Sequence, residues 1–255
     1  YFKVFPSASL TYSGDGGQRI SLSYSNRLDR PSIGQLSAFG RSFSLSDPRL
    51  RWVGNPTLNP EQSHNLELTA MQRVGPATVT VSPYVRHRTD AIRTARTVQA
   101  DSITVLSPEN FDSSTAFGTE LTASVSAGDV RANVSGNLYR QEAAGGSRPG
   151  LQFETVAASG RVNLTWSVRP TLQVQLFQYY RSSRQTSRGR MAPFYRTSLS
   201  AEKTFWDGNA TLGLEVNDPF NRSRFELGAQ TRRYRERTTR DWTGRSMSLS
   251  FSYQF

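Results

Sequence analysis

Cysteine is missing from all 255 residues. Without it there is no disulfide framework and no thiolate metal site, which sets aside the small disulfide-stapled secreted scaffolds. Histidine is scarce: His64 and His87 are the only two, far apart in sequence and without metal-ligand spacing. No run of 18 apolar residues occurs, so a transmembrane helix is excluded. No segment carries a 3.6-residue periodicity, which predicts very little helix. Serine is abundant, but no Gly-x-Ser-x-Gly elbow accompanies it. Gly14-Asp15-Gly16-Gly17 is not followed by a helix, so it reads as a hairpin turn rather than a phosphate loop. Nothing here predicts an enzyme, a cofactor or a metal. No signal peptide stands at Tyr1, so the expectation is a removed export signal or an internal piece of a longer chain.

What is present is alternation. Apolar residues make up 36% of the chain, a share that suits a polar soluble protein. It suits a transmembrane barrel equally, because only alternate residues of each strand meet lipid. Ala8, Leu10 and Tyr12 alternate with Ser9 and Thr11; Ile20, Leu22 and Tyr24 alternate with Ser21 and Ser23. The period of two recurs at Leu66–Ala70, Thr78–Tyr84, Leu121–Val125, Val130–Leu138, Val162–Val168, Leu172–Leu176, Thr197–Ala201, Leu212–Val216 and Met247–Phe255. These make about eleven strands, many of about 9–13 residues, the length a tilted strand needs to cross a bilayer.

The connections alternate as well. Turns near 14–17, 74–76, 127–129, 168–170 and 206–209 are short. Links near 28–60, 93–114, 140–152, 184–193 and 218–243 are long. Short turns on one side and long loops on the other is the layout of an outer-membrane barrel. A soluble β-sandwich would share the strand pattern but has no reason to segregate loops by length. The expected fold is therefore an all-β, antiparallel up-and-down transmembrane β-barrel, with residues 1–255 as its C-terminal portion.

The net charge is +11, from 31 Lys+Arg against 20 Asp+Glu. Arginines gather at the long-loop ends, including Arg181, Arg184, Arg188, Arg190, Arg232, Arg233 and Arg235. Such a collar suits the anionic phosphates of outer-leaflet lipopolysaccharide; a solvated loop surface is the plainer alternative. Nucleic acid is not expected, since no helix or compact basic face could enter a groove. Glu67, Glu120, Glu154 and Glu215 fall within strands and are expected to line the lumen and pair with Arg131, Arg161 or Arg196. Tyr12, Tyr24, Tyr84, Trp166, Tyr180, Phe205, Trp206 and Tyr253 are candidates for interfacial girdles. His87, between Arg86 and Arg88, reads as a solvated strand-end residue. In the long 28–60 link, Phe39, Phe43 and Trp52 are the candidates for substrate contact.

Four segments resemble one family. Leu22-Ser23-Tyr24-Ser25-Asn26-Arg27-Leu28-Asp29-Arg30-Pro31 resembles a strand end of TonB-dependent outer-membrane receptors, in their outer-membrane β-barrel subgroup. Gly54-Asn55-Pro56-Thr57-Leu58-Asn59-Pro60-Glu61, followed by Ser63-His64-Asn65-Leu66-Glu67-Leu68, is similar to their GNPxLxPE strand entry. Asn217-Asp218-Pro219-Phe220-Asn221 is similar to their xDxFN element. The closing Ser248–Phe255 resembles the terminal strand, whose final aromatics, here Phe251, Tyr253 and Phe255, would be the signal for the outer-membrane assembly machinery. The prolines of the GNPxLxPE segment suit a rigid approach to the wall, since proline cannot donate to a ladder.

The resemblance implies half of a 22-stranded barrel, with an N-terminal plug and energy-coupling segment that this chain lacks. An open half-barrel would leave two unpaired edges in lipid, so the piece is not expected to fold stably alone. It implies energy-dependent uptake of a large scarce solute, such as an iron chelate, a cobalamin or an oligosaccharide, powered by the TonB system through the plug. The expected location is the outer membrane of a Gram-negative bacterium, amid lipid and lipopolysaccharide. The alternatives are a passive porin or structural barrel and a soluble β-sandwich binding module.

Overall fold

A computed structural model describes residues 4–39, 41–44, 47–99, 103–145, 152–230, 235–241 and 244–255. The alternating segments all form strands. In chain order they are β1 (Ser7–Ser13), β2 (Arg19–Asp29), β3 (Arg41–Ser44), β4 (Asp47–Trp52), β5 (Glu61–Val74), β6 (Ala77–Val98), β7 (Thr104–Ala127), β8 (Val130–Ala144) and β9 (Phe153–Arg169). There follow β10 (Leu172–Arg181), β11 (Arg184–Thr186), β12 (Gly189–Met191), β13 (Phe194–Phe205), β14 (Ala210–Asn217), β15 (Arg224–Gln230), β16 (Arg235–Asp241) and β17 (Ser246–Tyr253). The one α-helix among the described residues is a single turn, α1 (Ile33–Leu36), started by a capping box between Ser32 and Gln35.

Eleven strands pair in the order β1-β2-β5-β6-β7-β8-β9-β10-β13-β14-β17, each antiparallel to the next. Every neighbour in this wall is the next long strand in sequence, which is up-and-down pairing and not the Greek key of a sandwich. The wall is open: β1 and β17 are its edges.

Register turns the period of two into two faces. Ala77, Val125, Ala132, Leu164, Leu176, Leu199, Val216 and Met247 stand side by side across successive strands. On the other face Ser126, Arg131, Thr165, Gln175, Ser200, Glu215 and Ser248 form an equally continuous polar row. A slip of one residue in any strand would put polar groups among the apolar ones, so the two faces fix the register. The apolar face is uncovered by protein; Leu249 is 69% exposed. In water so large an apolar surface would be a liability, whereas hydrocarbon is its natural complement.

The five short turns lie where the sequence places them. Gly75 and Gly128 take φ 56° and 55° at the first central position of two-residue hairpins, where positive φ favours glycine. The long links differ from expectation. Residues 93–114 form no loop for most of their length: β6 and β7 stay paired out to Val98↔Thr104. Residues 140–152 likewise begin as ladder, with β8 reaching Ala144. Strands of 22 and 24 residues extend to about 70–80 Å at the usual rise, well beyond a bilayer. Their outer parts are packed by other protein segments: β4 pairs with β7 there, and Ala91, Ala95, Leu106 and Phe111 are buried. The hydrogen-bond ladder continues there, but no lipid imposes an alternating pattern, and the sequence signal disappears. Links 184–193 and 218–243 contribute a second, four-stranded sheet in the order β11-β12-β15-β16.

The small apolar core sits on the tall β6–β7 hairpin, where Ala91, Phe111 and Ala143 are buried with Phe153 packed beside them. The 54–61 segment docks onto this hairpin. Asn110 receives the Asn59 N–H at 2.8 Å, and its amide donates to Asn59 O and Asp90 O at 3.0 and 2.7 Å. Gly54 passes so close to the α1 turn that a Cβ would lie 2.7 Å from Gln35 O and 2.8 Å from Ser37 N. Asp218 closes the 217–221 segment: its carboxylate accepts the Arg222 and Ser223 N–H groups at 2.8 and 3.0 Å.

Candidate functional site

The strongest concentration of chemistry lies on the polar face, toward the long-hairpin end. It begins with a glycine. Tyr84, Gly118 and Tyr139 are register partners on β6, β7 and β8. A Cβ on Gly118 would collide with the Tyr84 phenol and lie 2.8 Å from Tyr139 Cβ. The missing side chain lets Tyr84 lie across the strand, where it is buried and hydrogen-bonds Asn137 Oδ1 at 3.1 Å. The Arg86 guanidinium stacks 3.9 Å above the Tyr84 ring, a cation–π contact of about 0.5–1 kcal/mol. Arg86 also pairs with Glu120 at 3.1 Å and Glu67 at 3.9 Å.

Arg88 is held similarly. Its Nε lies 3.2 Å from Glu61, which also pairs with Arg93 at 3.2 Å and accepts the Ile92 N–H at 2.9 Å. Glu61 is therefore both the first residue of β5 and a knot joining β5 to β6.

Across the basin stand Arg181, the last residue of β10, and Arg184, the first of β11. With Tyr84, Arg86, Arg88, Ser114, Asn137, Tyr139, Gln141 and Tyr179 they line a cavity of about 390 Å³. The Arg181 Nε is buried and, among the described residues, has no hydrogen-bond partner. The Arg184 Nε donates to the Met191 sulfur, at 3.3 Å. The second sheet closes over one side. Ser187, in the β11–β12 turn, hydrogen-bonds Thr94 O on the tall hairpin at 3.2 Å, and the Gln185 N–H donates to Thr155 Oγ1 at 3.0 Å. At the far edge of that sheet Arg224 donates to Asp241 at 2.7 Å, a bond that raises its guanidinium above its ordinary pKa.

The residues singled out from sequence are dispersed. Phe39 is 85% exposed. Trp52 is partly buried, its indole N–H donating to Gly34 O at 3.4 Å, so it braces α1. Phe43 lies in β3, across the 41–52 hairpin from Trp52's strand. Arg181 and Arg184 turn to the basin; Arg188 and Arg190 belong to the β11–β12 hairpin; Arg235 opens β16; Arg232 and Arg233 lie outside the described residues. Phe251, Tyr253 and Phe255 end the edge strand. The rings of Tyr253 and Phe255 are 5.1 Å apart, and Trp206 stacks edge-on to Tyr253 at 5.8 Å. With Phe205 beside Trp206 they form an aromatic band at the short-turn end. Tyr24 and the Tyr180–Tyr195 pair, with centroids 5.0 Å apart, stand at the opposite end.

Three expectations are corrected. Tyr84 is no girdle residue, because it lies on the polar face. Glu67 and Glu120 meet Arg86, and Glu154 meets Arg140 at 3.0 Å, in place of Arg131, Arg161 or Arg196. His87 is half-buried and bonded to Thr115 at 2.8 Å, not freely solvated, and it stands directly opposite His64 across the β5–β6 ladder. His64 in turn bonds the Tyr24 hydroxyl at 2.9 Å. Among the described residues no group of three or more metal-ligating side chains assembles.

Comparison with known proteins places this geometry. No curated protein matches the chain by sequence. Among solved structures it is similar to the siderophore receptor PirA from Pseudomonas aeruginosa, with TM-score 0.66 and 16% identity over 98% of this chain and 42% of that one. It is similar to a mutant of the ferric enterobactin receptor PfeA from Pseudomonas aeruginosa in complex with enterobactin, with TM-score 0.65, 16% identity, and 98% and 40% coverage. The copper transporter OprC gives TM-score 0.64 and 16% identity over 98% of this chain and 39% of that one. The chain thus spans about two fifths of the length of these proteins. At such identity the likeness establishes the fold, an outer-membrane strand wall. A family model matches residues 1–253. This chain is an outer-membrane β-barrel protein of a Gram-negative bacterium and belongs to the outer membrane protein beta-barrel family.

Proposed function

We propose that the chain forms the C-terminal half of the barrel wall of a TonB-dependent receptor that takes up a large scarce solute. The observation that carries this reading is the polar face. Its basin combines arginines, tyrosines and amides on a wall whose opposite face is apolar, so a solute would be met from the lumen side. The 98% coverage of this chain by about 40% of a siderophore receptor supports the assignment to part of a larger barrel. An iron chelate, a cobalamin or an oligosaccharide is the cargo class, and the coupling energy would arrive through a plug encoded elsewhere in the full protein. The second sheet, with Arg188 and Arg190 on its β11–β12 hairpin, is the part of the arginine collar best placed beyond the bilayer to face lipopolysaccharide phosphate.

The test is accumulation of radiolabelled ferric chelates, cobalamin and oligosaccharides by cells that express the full-length protein, with and without a protonophore. Concentrative uptake of one cargo, abolished by the protonophore, is the expected result. Equilibration unaffected by the protonophore would indicate a passive porin and overturn the reading.

A further inference from the structure

The basin's four arginines are not equivalent. Arg86 is satisfied by Glu120, Glu67 and the Tyr84 ring, and Arg88 by Glu61. Among the described residues Arg181 and Arg184 have no carboxylate within 4.0 Å. Arg181 has its ring contact with Phe194, 5.8 Å away, and a buried Nε that donates to nothing. A buried donor without an acceptor is costly, and such groups in native folds call for a partner. Two adjacent guanidiniums also repel each other, which a bound anion would relieve. Tyr139, Tyr179 and Asn137 place further polar groups beside them. The choice of cation points the same way. Lysine occurs in the whole chain only as Lys3 and Lys203, and arginine's planar fork matches carboxylate and phosphate oxygens in a way that an ammonium does not.

We infer that Arg181 and Arg184 form an anion-binding subsite on the lumen face that engages carboxylate or phosphate groups of a multiply charged solute, while Arg86 and Arg88 are structural. The inference rests on the transport reading above and narrows its cargo to an anionic one. The cavity, about 390 Å³, falls within the range of small-molecule sites, roughly 300–1,000 Å³. A neutral oligosaccharide can accept hydrogen bonds through its hydroxyls but brings no charge to offset two adjacent guanidiniums, so its bonds there are the weaker, uncharged kind. The hydrogen bond from Ser187 to Thr94 holds the second sheet, to which Arg184 belongs, against the tall hairpin.

The test is titration calorimetry on the purified full-length protein in detergent, at low salt, with three probes: citrate, inorganic pyrophosphate and maltohexaose. Citrate or pyrophosphate is expected to bind and maltohexaose not to. Preference between the two anions assigns the subsite to carboxylate or to phosphate. Arg181→Gln and Arg184→Gln should each weaken anion binding about tenfold to a hundredfold, the cost of one charged hydrogen-bonding group. Arg169→Gln, at the short-turn end, should change nothing. Heat-modifiable migration on a gel confirms folding. If the glutamine variants fail that check, Arg181→Lys keeps the charge while removing the fork and should still weaken binding. Anion affinity unchanged in the Arg181 and Arg184 variants, or no better than that of the neutral sugar, overturns the subsite. Binding in detergent is independent of cellular energy. Protonophore-sensitive uptake of a neutral cargo would therefore defeat the subsite and spare the transporter, and anion binding without energised uptake would do the reverse.

Discussion

Replacing Glu61 should loosen the barrel's long-hairpin end more than any other single carboxylate. The side chain is 9% exposed, and it pairs with Arg88 and Arg93, themselves 37% and 29% exposed. It also accepts the Ile92 N–H, close to where the β6–β7 ladder is interrupted at Asp90, whose φ is 53°. In Glu61→Ala the Ile92 N–H is left without an acceptor, at about 1–3 kcal/mol. The two guanidiniums lose their counterion but remain partly wet, so each pair is worth only about 0.5–1 kcal/mol. The total is about 2–5 kcal/mol. Glu61→Gln keeps an oxygen for the Ile92 N–H and loses mainly the ion pairs, so about 1–2 kcal/mol is expected. The measurement is hydrogen exchange of the Ile92 amide together with denaturant unfolding of the full-length protein in detergent. The Ile92 amide should exchange fastest in the alanine variant, with glutamine between it and wild type. If alanine and glutamine match within about 0.5 kcal/mol, a typical neutral surface change, the amide bond contributes nothing and the reasoning fails.

Other substitutions test other joints. Gly54→Ala forces a Cβ into the backbone of the α1 turn and should cost about 1–3 kcal/mol by overpacking, read as faster proteolysis within residues 33–60. Gly118→Ala should lift Tyr84 off the strand, breaking its contacts with Asn137 and Arg86; a changed tyrosine ultraviolet difference spectrum with little loss of assembled protein is the expected signature. Asp218→Ala removes the acceptor for two backbone N–H groups and should destabilise by about 1–3 kcal/mol, with Asp218→Asn milder. Removing Phe255 should lower the amount of heat-modifiable protein in the outer membrane; unchanged amounts would deny it a part in assembly.

The wall was legible because lipid writes the pattern. Within the spanning zone each strand has one face in hydrocarbon, so Leu164, Leu176 and Leu199 must alternate with Thr165, Gln175 and Ser200, and simple counting by two finds about eleven strands. The turns were legible for a different reason: Gly75, Gly128 and Gly208 occupy positive φ, which few other residues adopt cheaply. Where the ladder leaves the bilayer, both constraints lapse. Residues 93–114 look like a loop in sequence because local protein packing, which buries Ala95, Leu106 and Phe111, replaces the uniform lipid face and imposes no period of two, yet Thr97↔Val105 and Val98↔Thr104 are still paired.

The basin was missed for a subtler reason, and its signal was present. Val79 and Val81 set the lipid parity of β6, and continuing that count puts Tyr84, Arg86 and Arg88 on the other face. An aromatic residue near a strand end suggests a girdle only if its parity is apolar; Tyr84 has the parity of the serines. What parity alone does not supply is the pairing across strands. That His64 faces His87, or that Gly118 lies between Tyr84 and Tyr139, depends on register, and register depends on the length of every intervening turn. The same dependence explains the carboxylates. Glu67 and Glu120 have the lumen parity expected of them, but which arginine each meets is decided by two ladders together, β5 on β6 and β6 on β7. Those ladders bring Arg86 between them and leave Arg181, three strands along the wall from Glu120 in the order β7-β8-β9-β10, without a carboxylate within 4.0 Å among the described residues. A position that evolution could have neutralised with one glutamate instead carries two guanidiniums, and that excess of positive charge facing the lumen is the physical ground for expecting an anion there.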